Sequence, residues 1–296
     1  MNLRQRATTA GAQLLLAWRF YVLTSLRLDA QTLRLEGLSL RRRLALIAAK
    51  TRALAAAHRG DGALLAVGPV HFWARDLIDL GSFQSCVVDV HDQLVRSGVL
   101  EGMASPVVVD VGANVGQFAS AIRLFSPSSS IIAFEPDPAT AAALARNAEA
   151  LGGIDVRTAG ASDVAARRLL YRHDLSLMST LRPSADERYG DRVEVELVRL
   201  DDALADVGPI DLLKIDVEGA ELEALRGAPA VLARTRYLLI ELSLGRDGEE
   251  TNLSVLREVS LVAPAARIVR FGRPLGRASN PICQDVLLEL GPPSHR

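Results

Sequence analysis

The sequence predicts an α/β protein built on a doubly wound, mostly parallel sheet. Three observations carry that reading. Val107-Val108-Val109 is a β-branched run suited to a strand buried on both faces, and Asp110 closes it. Gly112-Ala113-Asn114-Val115-Gly116 follows, and then Phe118, Ala121, Ile122 and Phe125 recur at helical spacing. Two further apolar runs, Ile131 to Phe134 and Ile210 to Ile215, end in Glu135 and Asp216. Each acid falls at the carboxyl end of a strand, where open α/β sheets bind their ligands.

The first 60 residues read as an N-terminal helical extension, with the main domain from 61 to 296. Leu14, Leu15, Leu16, Trp18, Phe20, Tyr21, Val22 and Leu23 form an apolar patch that Arg19 interrupts. The patch is too short and broken for a transmembrane helix, and no small-residue cleavage site follows it. Ser39 is placed to cap a second helix running through Arg41-Arg42-Arg43 to about Ala57. The preferred reading is a helical cap packed on the main domain or an oligomer contact. The sharper reading is an interfacial helix that makes a peripheral membrane contact. Scattering of the basic residues around the helix favours the cap.

Ala63 to Val67 and Val70 to Ala74 flank Gly68-Pro69 as a hairpin. Phe83, Val87, Val90 and Leu94 repeat at helical spacing up to Gly98. His91 and Asp92 on this helix read as surface or hydrogen-bonding residues. After Glu135, Asp137 is an N-cap and Pro138 a first-turn residue, with a helix to Gly152-Gly153. Ile154 to Thr158 is the next strand. Arg168 to Tyr171 and Val193 to Leu200 read as strands, the second with a half-exposed alternation. The segment between them, from His173 onward, has the character of an acceptor loop. Helices are expected from Glu218 to Leu225 and Leu253 to Leu261, and late strands at Ile268 to Phe271 and Asp285 to Leu290.

The glycine turn narrows the ligand. A dinucleotide site would show G-x-G-x-x-G, whereas this turn is G-x-N-x-G with an acid two residues before it. A carboxylate at Asp110 disfavours a pyrophosphate and favours a neutral or cationic ligand. S-adenosylmethionine, which carries a sulfonium and an ammonium, suits such a turn. Glu135 lies about 20 residues beyond, where doubly wound folds place a carboxylate on ribose hydroxyls. Lys214 on an interior strand needs a carboxylate partner, and Glu241 is the partner expected.

The stretches DVGANVG from Asp110, AFEPDP from Ala133, LDDAL from Leu200 and LLKIDVEGAELEALRGA from Leu212 together resemble the FkbM family of S-adenosylmethionine-dependent methyltransferases. The resemblance runs from about Asp61 to Leu290, with KIDVEGAE its most specific block. It implies the seven-stranded class I methyltransferase fold with an antiparallel last strand, and O-methylation of sugars or polyketide hydroxyls. Cofactor contacts are then expected at Asp110, Gly112, Asn114, Gly116 and Glu135. The resemblance also puts adenine contacts at Ser162 and Asp163; read alone, that pair is as well explained by an ordinary turn.

The resulting expectation is an enzyme that methylates a hydroxyl of a small molecule, sugar or lipid-linked glycan. Asp216 is the first choice for catalytic base or acceptor anchor, and His173 the second. The rival readings are a nicotinamide-dependent oxidoreductase and a non-catalytic methyltransferase-like binding protein. A net charge of −1 offers no global basic field for nucleic acid. Cys86 and Cys283 have no C-x-x-C spacing, and the five histidines show no paired ligand spacing, so neither a disulfide framework nor a zinc site is indicated; no spacing demands a divalent ion bridging acids, and none excludes it. A cytoplasmic or membrane-peripheral location and a homo-oligomer contact complete the expectations.

Overall fold

The computed structural model describes residues 25–57, 62–101, 103–172, 179–181, 190–243, 252–277 and 280–291. Two helices open it, α1 at 25–32 and α2 at Leu40–Ala57. The hairpin β1 (Ala63–Val67) and β2 (Val70–Ala74) and the helix α3 (Leu77–Val90) follow. The central βα units are β3 (Val107–Val111), α4 (Gln117–Phe125), β4 (Ser130–Phe134), α5 (Pro138–Leu151) and β5 (Ile154–Arg157). Next come β6 (Gly160–Ala161), β7 (Ala166–Tyr171), β8 (Arg192–Val198), α6 (Leu200–Ala203) and β9 (Ile210–Ile215). The chain closes with α7 (Glu221–Arg226), α8 (Pro229–Ala233), β10 (Thr235–Ser243), α9 (Asn252–Val262), β11 (Arg267–Phe271), β12 (Leu275–Arg277) and β13 (Asn280–Glu289).

The main sheet has the order β11-β13-β10-β9-β3-β4-β5, with β12 paired to β13. Strands β5, β4, β3, β9 and β10 are parallel, and β13 runs antiparallel between β10 and β11. This is an α/β class I methyltransferase fold. The order of strands reverses between β3 and β9, and the crevice over their carboxyl ends is the topological switch point.

Period two distributes the strand residues between two cores. Val108, Ile131, Leu212 and Leu239 join a core with α2, α3, α4 and the hairpin. Val109, Ile132, Leu213 and Ile240 face a second core covered by α6 to α9. The extension contributes to the first core: Leu35, Leu38, Leu46, Ala49 and Ala53 are buried in it. The inner side of α1 and α2 is thus a packed cap. No helix among the described residues is long and apolar enough to cross a membrane.

The structure departs from the sequence reading in two places. Strands β7 and β8 lie off the main sheet and form a separate sheet of order β6-β8-β7, which explains their half-exposed alternation. The helix expected up to Gly98 widens after Val90 into a π-turn over His91–Val95, with the Arg96 amide donating to the His91 carbonyl at 3.0 Å. Buried His91 accepts the Glu36 amide through Nε2 at 2.8 Å, tying the extension to that turn.

Asn147 on α5 joins the hairpin to the glycine turn. Its amide donates to the carbonyls of Trp73 and Val115, at 3.1 and 2.8 Å, and its oxygen accepts the Trp73 amide at 2.7 Å. The side chain is almost fully buried, so its loss strands buried backbone groups. Asn147→Ala is therefore expected to destabilise the fold by about 2–3 kcal/mol, read as a lower urea midpoint with unchanged slope. An unchanged midpoint would contradict this linking role.

Candidate active site

The site is assembled on the carboxyl ends of β3, β4 and β9. Asp110 and Lys214 are direct register partners on β3 and β9. Lys214 donates through Nζ to Asp216 Oδ2 at 2.9 Å and lies 3.6 Å from Asp110 Oδ1. The ammonium also sits 5.3 Å from the centre of the Phe118 ring. Its partners are thus Asp216 and Asp110, and not Glu241 as the sequence suggested. Period two puts Lys214 and Asp216 on one side, and parallel register brings Asp110 beside them. Burial alone would lower the lysine pKa, but the two carboxylates outweigh it and hold the amine charged. Burial raises the Asp110 carboxyl, while Lys214 pulls it back.

The glycine turn is fixed by close backbone approach. Gly112 has φ of 84°, and a Cβ there would lie 1.8 Å from the Asp216 carbonyl oxygen. Only glycine fits between the two strand ends. Asn114 takes the left-handed region at φ 48°, with its own side-chain oxygen accepting the Val115 amide at 2.8 Å. Gly116, at φ 90°, is the N-cap of α4.

Glu135 closes the opposite rim. Its two oxygens accept the amides of Asn114 and Asp137, at 3.0 and 2.9 Å. Burial pushes its carboxyl up to about 7 despite those bonds. Asp137 caps α5 and is clamped by Arg172, at 2.6 and 2.7 Å, which ties β7 to this rim.

These elements enclose a cleft lined by Gly112, Asn114, Glu135, Gly160, Ala161, Asp216 and Glu218, with Leu170, Ser179 and Leu181 on its far side. Among the described residues three carboxylates line it and no basic residue does. Among the described residues the non-glycines with positive φ are Asn114 and Glu218, and both line this cleft. The lining reaches Ala161 and stops short of Ser162 and Asp163. Ser162 is buried against Asp163 and Glu223, at 3.2 and 3.5 Å. Asp110 lies beneath the cleft and acts on it through Lys214, and Gly116 shapes the turn from outside the lining. His173 lies outside the described residues.

A second cleft adjoins the first and shares Asp216 with it. Phe118, Lys214, Leu239, Glu241, Gln93 and Asp285 are among its walls. The sequence reading overlooked Glu241 and Asp285 as site residues. They are direct cross-strand partners on β10 and β13, an unfavourable pairing of like charges. Burial, then Asp216 and Glu218, push the Glu241 carboxyl up to about 9; burial and Asp216 push Asp285 up to about 6. Oxygens of Asp216, Glu218 and Glu241 lie within 4.8 Å of one another, a donor set that suits a cationic ligand. Cys86 and Cys283, both unpaired, also line this cleft.

The raised Glu241 carboxyl has a defined sign. The folded chain keeps a proton that the unfolded chain releases between pH 4.5 and about 9. Its contribution to stability therefore falls as pH rises through that window. Glu241→Gln should raise stability at pH 8 relative to the parent by about 1 kcal/mol or more, read as a higher urea midpoint, and change it little at pH 5. An equal effect at both pH values would contradict the assignment.

Comparison with known proteins agrees with this geometry. Residues 110–263 match the model of the methyltransferase FkbM domain. Methyltransferase sdnD of Sordaria araneosa is 38% identical over 157 residues, covering 42% of this chain and 61% of that protein. The 31-O-demethyl-FK506 methyltransferase FkbM of Streptomyces tacrolimicus is 34% identical over 165 residues, covering 45% and 63%. The 2-O-methyltransferase NoeI of Sinorhizobium fredii is 29% identical over 170 residues, covering 52% and 69%. The chain spans about six-tenths of the length of the first two relatives. The matched segment covers the glycine turn, Glu135, Lys214 and Asp216, and with it more than half of the sequence: the chain belongs to the FkbM methyltransferase domain family.

Proposed function

We propose that this protein transfers a methyl group from S-adenosylmethionine to a hydroxyl of a small molecule, sugar or lipid-linked glycan. The observation that carries the reading is the position of Asp216 in the walls of two adjoining clefts. One cleft suits the cofactor and the other the acceptor. The relatives' names fit this reading, since one is a 31-O-demethyl-FK506 methyltransferase and another a 2-O-methyltransferase.

The first cleft fits S-adenosylmethionine by charge. Among the described residues Glu135, Asp216 and Glu218 line it without a basic residue, which favours a sulfonium and an ammonium and opposes a pyrophosphate. That charge pattern also speaks against the nicotinamide reading. Each Glu135 oxygen accepts one backbone amide and keeps a lone pair for a ribose hydroxyl. Gly112 and Asn114 supply the tight floor. When bound, S-adenosylmethionine supplies a methyl group on a sulfonium leaving group.

The chain's own residues then have distinct tasks. Asp216 accepts the proton of the acceptor hydroxyl or fixes its direction. Lys214 holds the Asp216 carboxylate at 2.9 Å and is itself held by Asp110. Walls of the two clefts keep the hydroxyl in line with the methyl group, and that alignment supplies much of the acceleration. Ser162 and Asp163 support the adenine end through the neighbouring Gly160 and Ala161. His173 remains the second choice for the proton acceptor. Within the extension, residues 1–60, the described part from 25 to 57 serves as a packed cap, and residues 61–296 carry the chemistry in a cytoplasmic or membrane-peripheral setting.

Two variants test the assignment. Glu135→Ala should weaken S-adenosylmethionine binding by roughly 1.5–3 kcal/mol, measured by calorimetry beside a melting curve. Binding as tight as the parent's would remove Glu135 from the site. Asp216→Asn should lower release of S-adenosylhomocysteine by about 10²–10⁴-fold across a panel of sugar and polyketide acceptors, with cofactor affinity and melting temperature nearly unchanged. Parent-like turnover would move the proton-accepting role to another residue, and a parent that turns over no acceptor would favour a binding protein.

A further inference from the structure

The inner side of α1 and α2 is used up in the core, but their outer side is not. Lys50 donates to Ser25 Oγ at 2.8 Å and pairs with Asp29. Arg43 donates to the carbonyls of Leu38 and Leu33, at 2.8 and 2.9 Å. Late residues of α2 meet early residues of α1, so the two helices are antiparallel. In each helix the buried residues, the partner-facing residues and the exposed residues follow in the same rotational order. An antiparallel pair arranged this way turns both exposed stripes to the same side.

That common face has a particular composition. Leu26 and Leu33 are 59% and 42% exposed, and Leu40 and Leu44 are 62% and 51% exposed. Leu26, Ala30 and Leu33 form the stripe of the first helix, and Leu40, Leu44 and Ala48 that of the second. Exposed arginines flank both: Arg27 and Arg34 on one, Arg41 and Arg52 on the other. None of these four pairs with an acid in any salt bridge among the described residues. Residues 25–57 carry seven basic residues against Asp29 and Glu36, although the whole chain has a net charge of −1. A local excess of positive charge thus coincides with four exposed leucines. The chain leading into α1 continues the composition, with Leu14, Leu15, Leu16, Trp18, Phe20 and Tyr21 among Arg4, Arg6 and Arg19.

We propose that the outer face of the α1–α2 pair docks on an anionic phospholipid surface, with its leucines entering the interface and its arginines meeting the headgroups. Charge complementarity selects the partner: an anionic bilayer offers both the negative potential for the arginines and the apolar layer for the leucines. Nucleic acid would use the arginines and leave the leucines in water. The basic residues looked scattered in the sequence because two of them, Arg43 and Lys50, serve the contact between the helices. With those assigned, and with Arg42 turned toward the hairpin at Gly68, the remaining four arginines border one face.

The test uses the full chain and vesicles of phosphatidylcholine, with and without phosphatidylglycerol, in a sedimentation assay. Binding is expected with phosphatidylglycerol only, and is weakened by salt. Arg34→Gln with Arg41→Gln should weaken it about 25-fold, roughly fivefold for each charge. Leu33→Gln with Leu40→Gln should weaken it at least about tenfold. Both pairs lie on the surface, so melting temperature should stay at the parent's value. No binding to anionic vesicles overturns the proposal. So does binding that the leucine pair leaves unchanged, which would mark a purely electrostatic surface open to nucleic acid. A leucine pair that halves the mass by light scattering without affecting vesicles would assign the face to a second copy, and a leucine pair that lowers the melting temperature would assign it to the chain's own leading segment.

Discussion

The buried ammonium of Lys214, held between the carboxylates of Asp110 and Asp216, is the interaction on which the rest of the cleft depends. An interior strand position is costly for a charge, and a lone carboxylate beneath the sheet's end would be costly too. Together they are tolerated, and the arrangement has consequences. Asp216 is pinned at the mouth of the switch-point crevice. Its backbone joins the end of β3 through the Val111 carbonyl at 3.0 Å, and its carbonyl occupies the space that Gly112 leaves open. Because two acids flank the ammonium, either one still pairs it if the other is neutralised, so the charge of Asp216 can be altered with little cost to the sheet.

This coupling also explains why the two clefts differ. The first cleft includes Glu135, whose two oxygens each accept a backbone amide, and it is shaped by the positive φ angles of Asn114 and Glu218. The second cleft holds acids that repel one another across β10 and β13. Burial and the neighbouring acids raise both carboxyls, and a positively charged occupant would relieve that repulsion. Strain and repulsion lie where a ligand must approach, while the hydrophobic cores on both faces of the sheet provide the stability.

Much of this was legible in the sequence because it rests on local patterns. The β-branched run before Asp110, the Asp137-Pro138 cap and the period-two placement of Lys214 and Asp216 each follow from neighbours in the chain. The resemblance to the FkbM family supplied the antiparallel last strand. What the sequence did not reveal depends on register between distant strands. Pairing of Asp110 with Lys214, opposition of Glu241 and Asp285, and separation of β7 and β8 from the main sheet are set by tertiary contacts. The N-terminal unit is the same case: amphipathicity of α2 is blurred until Arg43 and Lys50 are recognised as serving α1.

The central claim is that the acid-lined cleft over β3, β4 and β9 is built for a sulfonium cofactor. Calorimetric titration of the unmodified protein with S-adenosylmethionine and, separately, with NAD tests it most directly. The account predicts saturable one-to-one binding of S-adenosylmethionine and no measurable heat from NAD. Binding of NAD with the tighter affinity, or no binding of S-adenosylmethionine by folded protein, would contradict it.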